Sequence, residues 1–129
     1  MATIKKMEEL EVWNIARMQA GNIWEIINNG TFSRDFELKN QINRSSGSVM
    51  DNIAERFGRG GNMEFINLLS YARGSNEEVR SQLYRALDRN HIQNAQFDEL
   101  FTNSDLISAK ITRFITYLLQ SNIKGKKFL

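Results

Sequence analysis

The chain has 129 residues, 41% of them hydrophobic, with a formal net charge of +2 and a pI near 9.0. That length suits one domain, residues 1–129, with a core of its own, and the near-balanced charge does not by itself announce a nucleic-acid binder. Cysteine and proline are both absent, which excludes disulfides and thiolate metal sites, suits a reducing compartment, and leaves every backbone N–H available for helix formation. No apolar run approaches the roughly 18 residues that a membrane span requires. The opening MATIKKMEELEVW places charges where an export signal would carry its apolar stretch. A cytoplasmic protein without membrane contact is expected.

Apolar residues recur at helical spacing along most of the sequence. The first helix is read over about residues 7–28, with Leu10, Trp13, Ala16, Ala20, Ile23, Trp24 and Ile27 on one wide face. Asn28-Asn29-Gly30 ends it, because these residues tolerate the left-handed cap conformation. Ser33 is the expected N-cap of a second helix over 34–57, whose face carries Leu38, Ile42, Val49, Ile53 and Phe57. Within it, Ser45-Ser46-Gly47-Ser48 is poor in helix formers. Two readings fit that run: a weak spot on an exposed turn, or small side chains that let a neighbouring helix come close.

The glycines of Gly58-Arg59-Gly60-Gly61 provide a hinge. A third helix follows over 62–89, capped by Asn62, with Phe65, Leu68, Leu69, Ala72, Val79, Leu83 and Ala86 facing inward. A fourth covers 97–123 through Leu100, Phe101, Ile107, Ile111, Phe114, Ile115 and Leu118. Gly125 and the lysines around it form an end expected to fray. Four amphipathic helices joined by short connections predict an all-α, antiparallel up-down-up-down four-helix bundle.

Motifs for catalysis are missing. A di-iron bundle needs two Glu-x-x-His pairs, yet the one histidine, His91, has no glutamate three residues before it and reads as a solvent-facing cap residue. The GRGG run lacks the preceding strand and the Gly-Lys-Ser/Thr of a nucleotide loop, so a tight turn accounts for it. Neither a cofactor nor a metal is expected, and no enzyme activity. Asn52, Glu55, Arg73, Ser75 and Glu78 stand out as polar residues set among inward-facing positions. Burial would require them to pair with one another, so they are read as an interhelical polar network. Arg44, Arg56, Arg59 and Arg80, with Lys124, Lys126 and Lys127 of the tail, are the candidates for contact with phosphates, which suit the fork of arginine.

Two segments resemble a known family. Gln41-x-x-Arg44, Ser48-Val49-x-x-Asn52-Ile53-Ala54-Glu55 and Phe57-Gly58-Arg59 are similar to its RxxxSIPxNIAEGxGR signature. A second signature is matched by Glu64-Phe65-Ile66-x-x-Leu69, Ala72-Arg73-Gly74-Ser75-x-x-Glu78 and Gln82-Leu83, and its opening by Leu10-Glu11-Val12-Trp13. This is the family of small four-helix-bundle proteins encoded in intervening sequences of bacterial 23S ribosomal RNA genes, which includes the accessory variability determinant of diversity-generating retroelements. Met50 stands where the family has proline and Arg56 where it has glycine, so the second helix is expected to be straighter and its end more basic.

The resemblance implies a non-enzymatic bundle that assembles as a homopentamer. In the retroelement branch such a ring binds nucleic acid and partners a reverse transcriptase. The aromatic residues Trp13, Trp24, Phe32, Tyr71 and Tyr84 are more than a slim bundle hides easily, which fits self-association. The reading is an oligomeric scaffold that binds structured RNA or DNA, an accessory factor to a reverse transcriptase. The alternative is a protein–protein interaction module encoded by a 23S rRNA intervening sequence.

Overall fold

A computed structural model describes residues 6–58 and 61–127 of the chain, with 122–127 as backbone alone. All regular structure among the described residues is helical: α1 (Glu11–Ile27), α2 (Phe36–Glu55), α3 (Asn62–Asp88) and α4 (Asn94–Lys127). Side-chain pairs across the seams give the sense of each packing. Gln19 meets Leu100 and Glu11 meets Lys110 between α1 and α4; Gln41 meets Arg85 and Ser48 meets Ser75 between α2 and α3. Residue numbers rise on one helix as they fall on the other, so neighbours are antiparallel. The expected up-down-up-down bundle is the one observed.

The helix ends differ from the sequence expectation, each for a local reason. Residues Met7–Glu9 form a separate 3-10 turn, so α1 begins at Glu11 rather than Met7. Ser33 is not the cap of α2. It belongs to a 3-10 turn over Gly30–Arg34, where its hydroxyl donates to the Gly30 carbonyl at 2.7 Å, and the capping oxygen is Asp35 Oδ1, which accepts from Leu38 N at 3.3 Å. That start moves α2 to Phe36, and a 3-10 turn over Arg56–Gly58 ends it at Glu55. Asn62 is the first residue of α3 instead of its cap; Gly61 holds the cap position at φ +85°, a conformation that costs glycine little.

The other end of α3 closes with a left-handed Asn90 at φ 61°. Asn90 N donates to the Leu87 carbonyl and His91 N to that of Ala86, the paired bonds that satisfy the last free carbonyls of a helix. This compact reversal lets α4 start at Asn94, earlier than residue 97, and α4 continues as helix past 123 to Lys127.

The interior is two apolar clusters rather than one. Leu10, Trp13, Val49, Ile53, Phe65, Leu69, Ile111 and Leu118 fill one end of the bundle. Ile23, Ile27, Phe32, Leu38, Ile42, Val79, Leu83 and Leu100 fill the other. Each large side chain so buried contributes roughly 1.5–3 kcal/mol. Between the clusters every helix supplies a buried polar residue: Gln19 from α1, Ser45 and Ser46 from α2, Asn76 from α3 and Ser104 from α4. Asn76 and Ser104 bond reciprocally, Nδ2 to the Ser104 carbonyl at 2.8 Å and Ser104 Oγ to Oδ1 at 3.0 Å. Gln19 Nε2 reaches the Leu100 carbonyl at 2.7 Å.

Candidate nucleic-acid interface

The α2–α3 seam is built from the small residues that looked weak in the sequence. Ser45 and Ser46 are buried, and Ser48 Oγ lies 2.9 Å from Ser75 Oγ. Of the two readings of this run, close helix approach is the one the geometry matches. Asn52 Nδ2 donates to the Ser48 carbonyl and hydroxyl at 2.9 and 3.0 Å, which links Asn52, Ser48 and Ser75. One turn further on, Ser45 Oγ donates to Glu78 at 3.3 Å and accepts from Gln82 Nε2 at 3.1 Å. Of the two remaining members of the expected network, Arg73 lies outside this seam. Arg73 turns toward α4 and donates to Thr112 Oγ1 at 3.2 Å, and Glu55 is exposed.

The cationic candidates separate into three groups. Arg80 is committed within the fold: its guanidinium bonds Glu77 at 3.0 Å and Asp105 at 2.8 Å and lies 4.6 Å above the Phe101 ring. Arg44 is exposed midway along α2, some 18 Å of helix from the Arg56 end. Of the others, Arg56 belongs to one end of the bundle. The C-terminal end of α2, the start of α3 and the late part of α4 meet there through Ile53, Phe65 and Leu118. Arg56 is at this end, its guanidinium 5.2 Å over the Phe65 ring. Arg59 and the side chains of Lys124, Lys126 and Lys127 lie outside the described residues. The α4 backbone runs from Leu118 to Lys127, roughly 14 Å at 1.5 Å per residue.

A cleft on the α1–α4 seam has no counterpart in the sequence reading. Glu9, Glu11, Lys110, Arg113, Phe114 and Tyr117 border a volume of about 350 Å³, with Lys110 bonded to Glu11 at 3.0 Å. The buried polar layer was missed as well, although a signal existed. Gln19, Asn76 and Ser104 each occupy an inward step of the helical period, Gln19 for example between Ala16 and Ile23.

At the opposite end, His91 is a side chain largely withdrawn from solvent, not the exposed cap residue expected. It stacks on Phe32 at 5.0 Å, and its Nε2 lies 2.8 Å from Asp35 Oδ2. A carboxylate only accepts, so Nε2 carries the proton and Nδ1 is left for Thr31 Oγ1 at 2.8 Å. Arg89 donates to the same Asp35 oxygen at 2.7 Å. The bond from His91, then that from Arg89, lowers the Asp35 carboxyl from 3.8 to about 2. The expected aromatic surplus is divided: Phe32 and Trp13 are buried, whereas Trp24, Tyr71 and Tyr84 are more than half exposed.

Among the described residues no cluster of three or more His, Cys, Asp or Glu could hold a metal ion, and no helix is long and apolar enough to cross a membrane. The family model of the 23S rRNA-intervening sequence protein matches residues 8–113. A crystal structure of a protein of unknown function from the S23 ribosomal protein family of Bacteroides thetaiotaomicron superposes with a TM-score of 0.74 at 23% identity, covering 81% of this chain and 97% of that one. At that identity the likeness concerns the fold. No protein of curated function matches the sequence.

Proposed function

We propose, from the premise that the chain belongs to the 23S rRNA-intervening sequence protein family, that it is a non-catalytic, self-associating scaffold for structured nucleic acid. The observation that carries this reading is topological. Antiparallel packing gathers the start of α1, the end of α2, the start of α3 and the late part of α4 at one end of the bundle, where Arg56 lies over Phe65 and from which the α4 backbone leads on to Lys124, Lys126 and Lys127. Arginine and lysine on these stretches attract phosphates although the whole chain is nearly neutral and Glu55 and Glu64 stand on the same helix ends. The exposed Trp24, Phe36 and Tyr71 support self-association, since large apolar side chains in contact with water favour burial against another copy. The pentameric state and a reverse transcriptase as partner are part of the same proposal, carried by the resemblance alone.

Fluorescence anisotropy of a labelled RNA hairpin and a matched DNA duplex, titrated across a salt series, tests the ligand. Saturable binding whose logarithm falls linearly with log salt is the expected result. Failure to bind either nucleic acid at low salt overturns the reading and leaves a protein-docking module in its place. Sedimentation equilibrium tests self-association, with a mass several times 15.0 kDa expected.

A further inference from the structure

The α3–α4 face carries an aromatic group that the nucleic-acid reading does not use. Tyr84 of α3 lies 4.9 Å from Phe97 and 5.4 Å from Phe101, while Phe97 and Phe101 stack at 5.1 Å with 21° between their planes. Tyr84 is 51% exposed and both phenylalanines are half-buried, Phe97 packing against the second apolar cluster, so the three rings form a surface at the edge of the core. Carboxylates border it on both helices. Glu77 and Asp88 fall on the stripe of Tyr84, and Asp98 and Asp105 on the stripe of Phe101, all four exposed.

The fold already shows what such a surface binds. Arg80 lies 4.6 Å above Phe101 with its guanidinium bonded to Glu77 and Asp105, a cation held by a ring face and two carboxylates. Residues of the same types stand a turn further along both helices. Tyr84 offers the exposed ring, with Asp88 four residues along α3 and Asp98 three residues before Phe101 on α4. The intramolecular cation, Arg80, is spent on the first set. A second set of ring and carboxylates faces solvent.

We propose that the Tyr84, Phe97 and Phe101 face, bordered by Asp88 and Asp98, docks a basic segment of a partner protein, one arginine of which repeats at Tyr84 the arrangement that Arg80 makes at Phe101. Charge complementarity selects this occupant. Exposed carboxylates repel the phosphates of RNA or DNA but attract a guanidinium, and the rings supply the attraction to its flat face. The site goes beyond the nucleic-acid reading, and either can fail without the other.

The test uses the full chain and a fluorescein-labelled peptide alternating arginine and leucine, with a glutamate-for-arginine peptide and an RNA hairpin as competitors. Anisotropy gives affinity, and NMR of the aromatic rings gives location. The arginine peptide is expected to bind saturably and to shift the Tyr84 and Phe97 ring resonances. Tyr84→Ala should weaken it by roughly tenfold, the scale of one partly desolvated cation–π contact. Because Tyr84 also touches two rings of its own fold, Asp88→Asn with Asp98→Asn, both at exposed positions, provides the second variant; weaker binding with a shallower salt dependence is expected. Unmoved ring resonances, unchanged affinity in both variants, or displacement of the peptide from these rings by the RNA hairpin would overturn the proposal.

Discussion

Asp35 serves three partners with one carboxylate. Its Oδ1 caps α2, and its Oδ2 accepts from both His91 and Arg89. The folded carboxyl titrates near 2 rather than 3.8, so folding favours the ionised form. The associated stability is fully present above about pH 4 and is lost as the pH falls through about 2, where the folded state takes up its proton. Chemical denaturation at pH 5 and at pH 2 should differ by an Asp35 contribution on the order of 2 kcal/mol, and Asp35→Asn should remove it. This cluster was not legible in the sequence. Ser33 and Asp35 are both good caps, and the choice between them depended on the 3-10 turn that engages the Ser33 hydroxyl first. The partners Arg89 and His91 come from more than 50 residues away, so no local pattern pairs them with Asp35.

The helices invite a comparison of their glycines. Gly47 and Gly74 lie inside α2 and α3, and a Cβ at either would meet nothing within 4 Å. Gly47→Ala and Gly74→Ala are each expected to stabilise the protein by about 0.5–1 kcal/mol, read by thermal melting, through helix propensity and reduced freedom of the unfolded chain. Gly61 is the contrary case. At φ +85° alanine would be strained, and Gly61→Ala should cost about 1 kcal/mol or more. Helix existence and inward faces were readable because the 3.6-residue period persists over many turns. Helix ends were not, since a single side-chain bond or a 3-10 turn moves a boundary by several residues at little cost.

Across the whole molecule, the polar layer between two apolar clusters fixes how the four helices sit along one another. A helix sliding by one turn would place Gln19, Asn76 or Ser104 against leucines and isoleucines, and a buried polar group without a partner costs roughly 1–3 kcal/mol. Asn76→Leu should be destabilising by that amount because it orphans the Ser104 hydroxyl. Asn76→Leu with Ser104→Ala should recover a part of it, so a double-mutant cycle by urea denaturation should return a coupling of about 1–3 kcal/mol. Assembly and ligand binding belong to this scale too. Replacing Lys124, Lys126 and Lys127 together by glutamine should lower the salt slope of RNA binding by about 2 to 3 if all three touch phosphates. An unchanged slope would remove the tail from the interface.

The sequence alone determined the fold class and most of the aliphatic core, because both follow from periodicity and from the spacing of turn residues; Trp24, read onto the inward face, is exposed, and Phe101 is only half-buried. The motif residues of the sequence also carried the family, which the match over residues 8–113 bears out. Only the tertiary structure decided which polar residues share a site. Arg73 faces Thr112 on α4 instead of the α2–α3 seam, Arg80 is consumed by Glu77 and Asp105, and Tyr84 joins Phe97 and Phe101 in an exposed face. Each outcome depends on the rotation of one helix about its axis relative to another. Packing of the whole interior sets that rotation, and a residue's immediate neighbours in the chain do not.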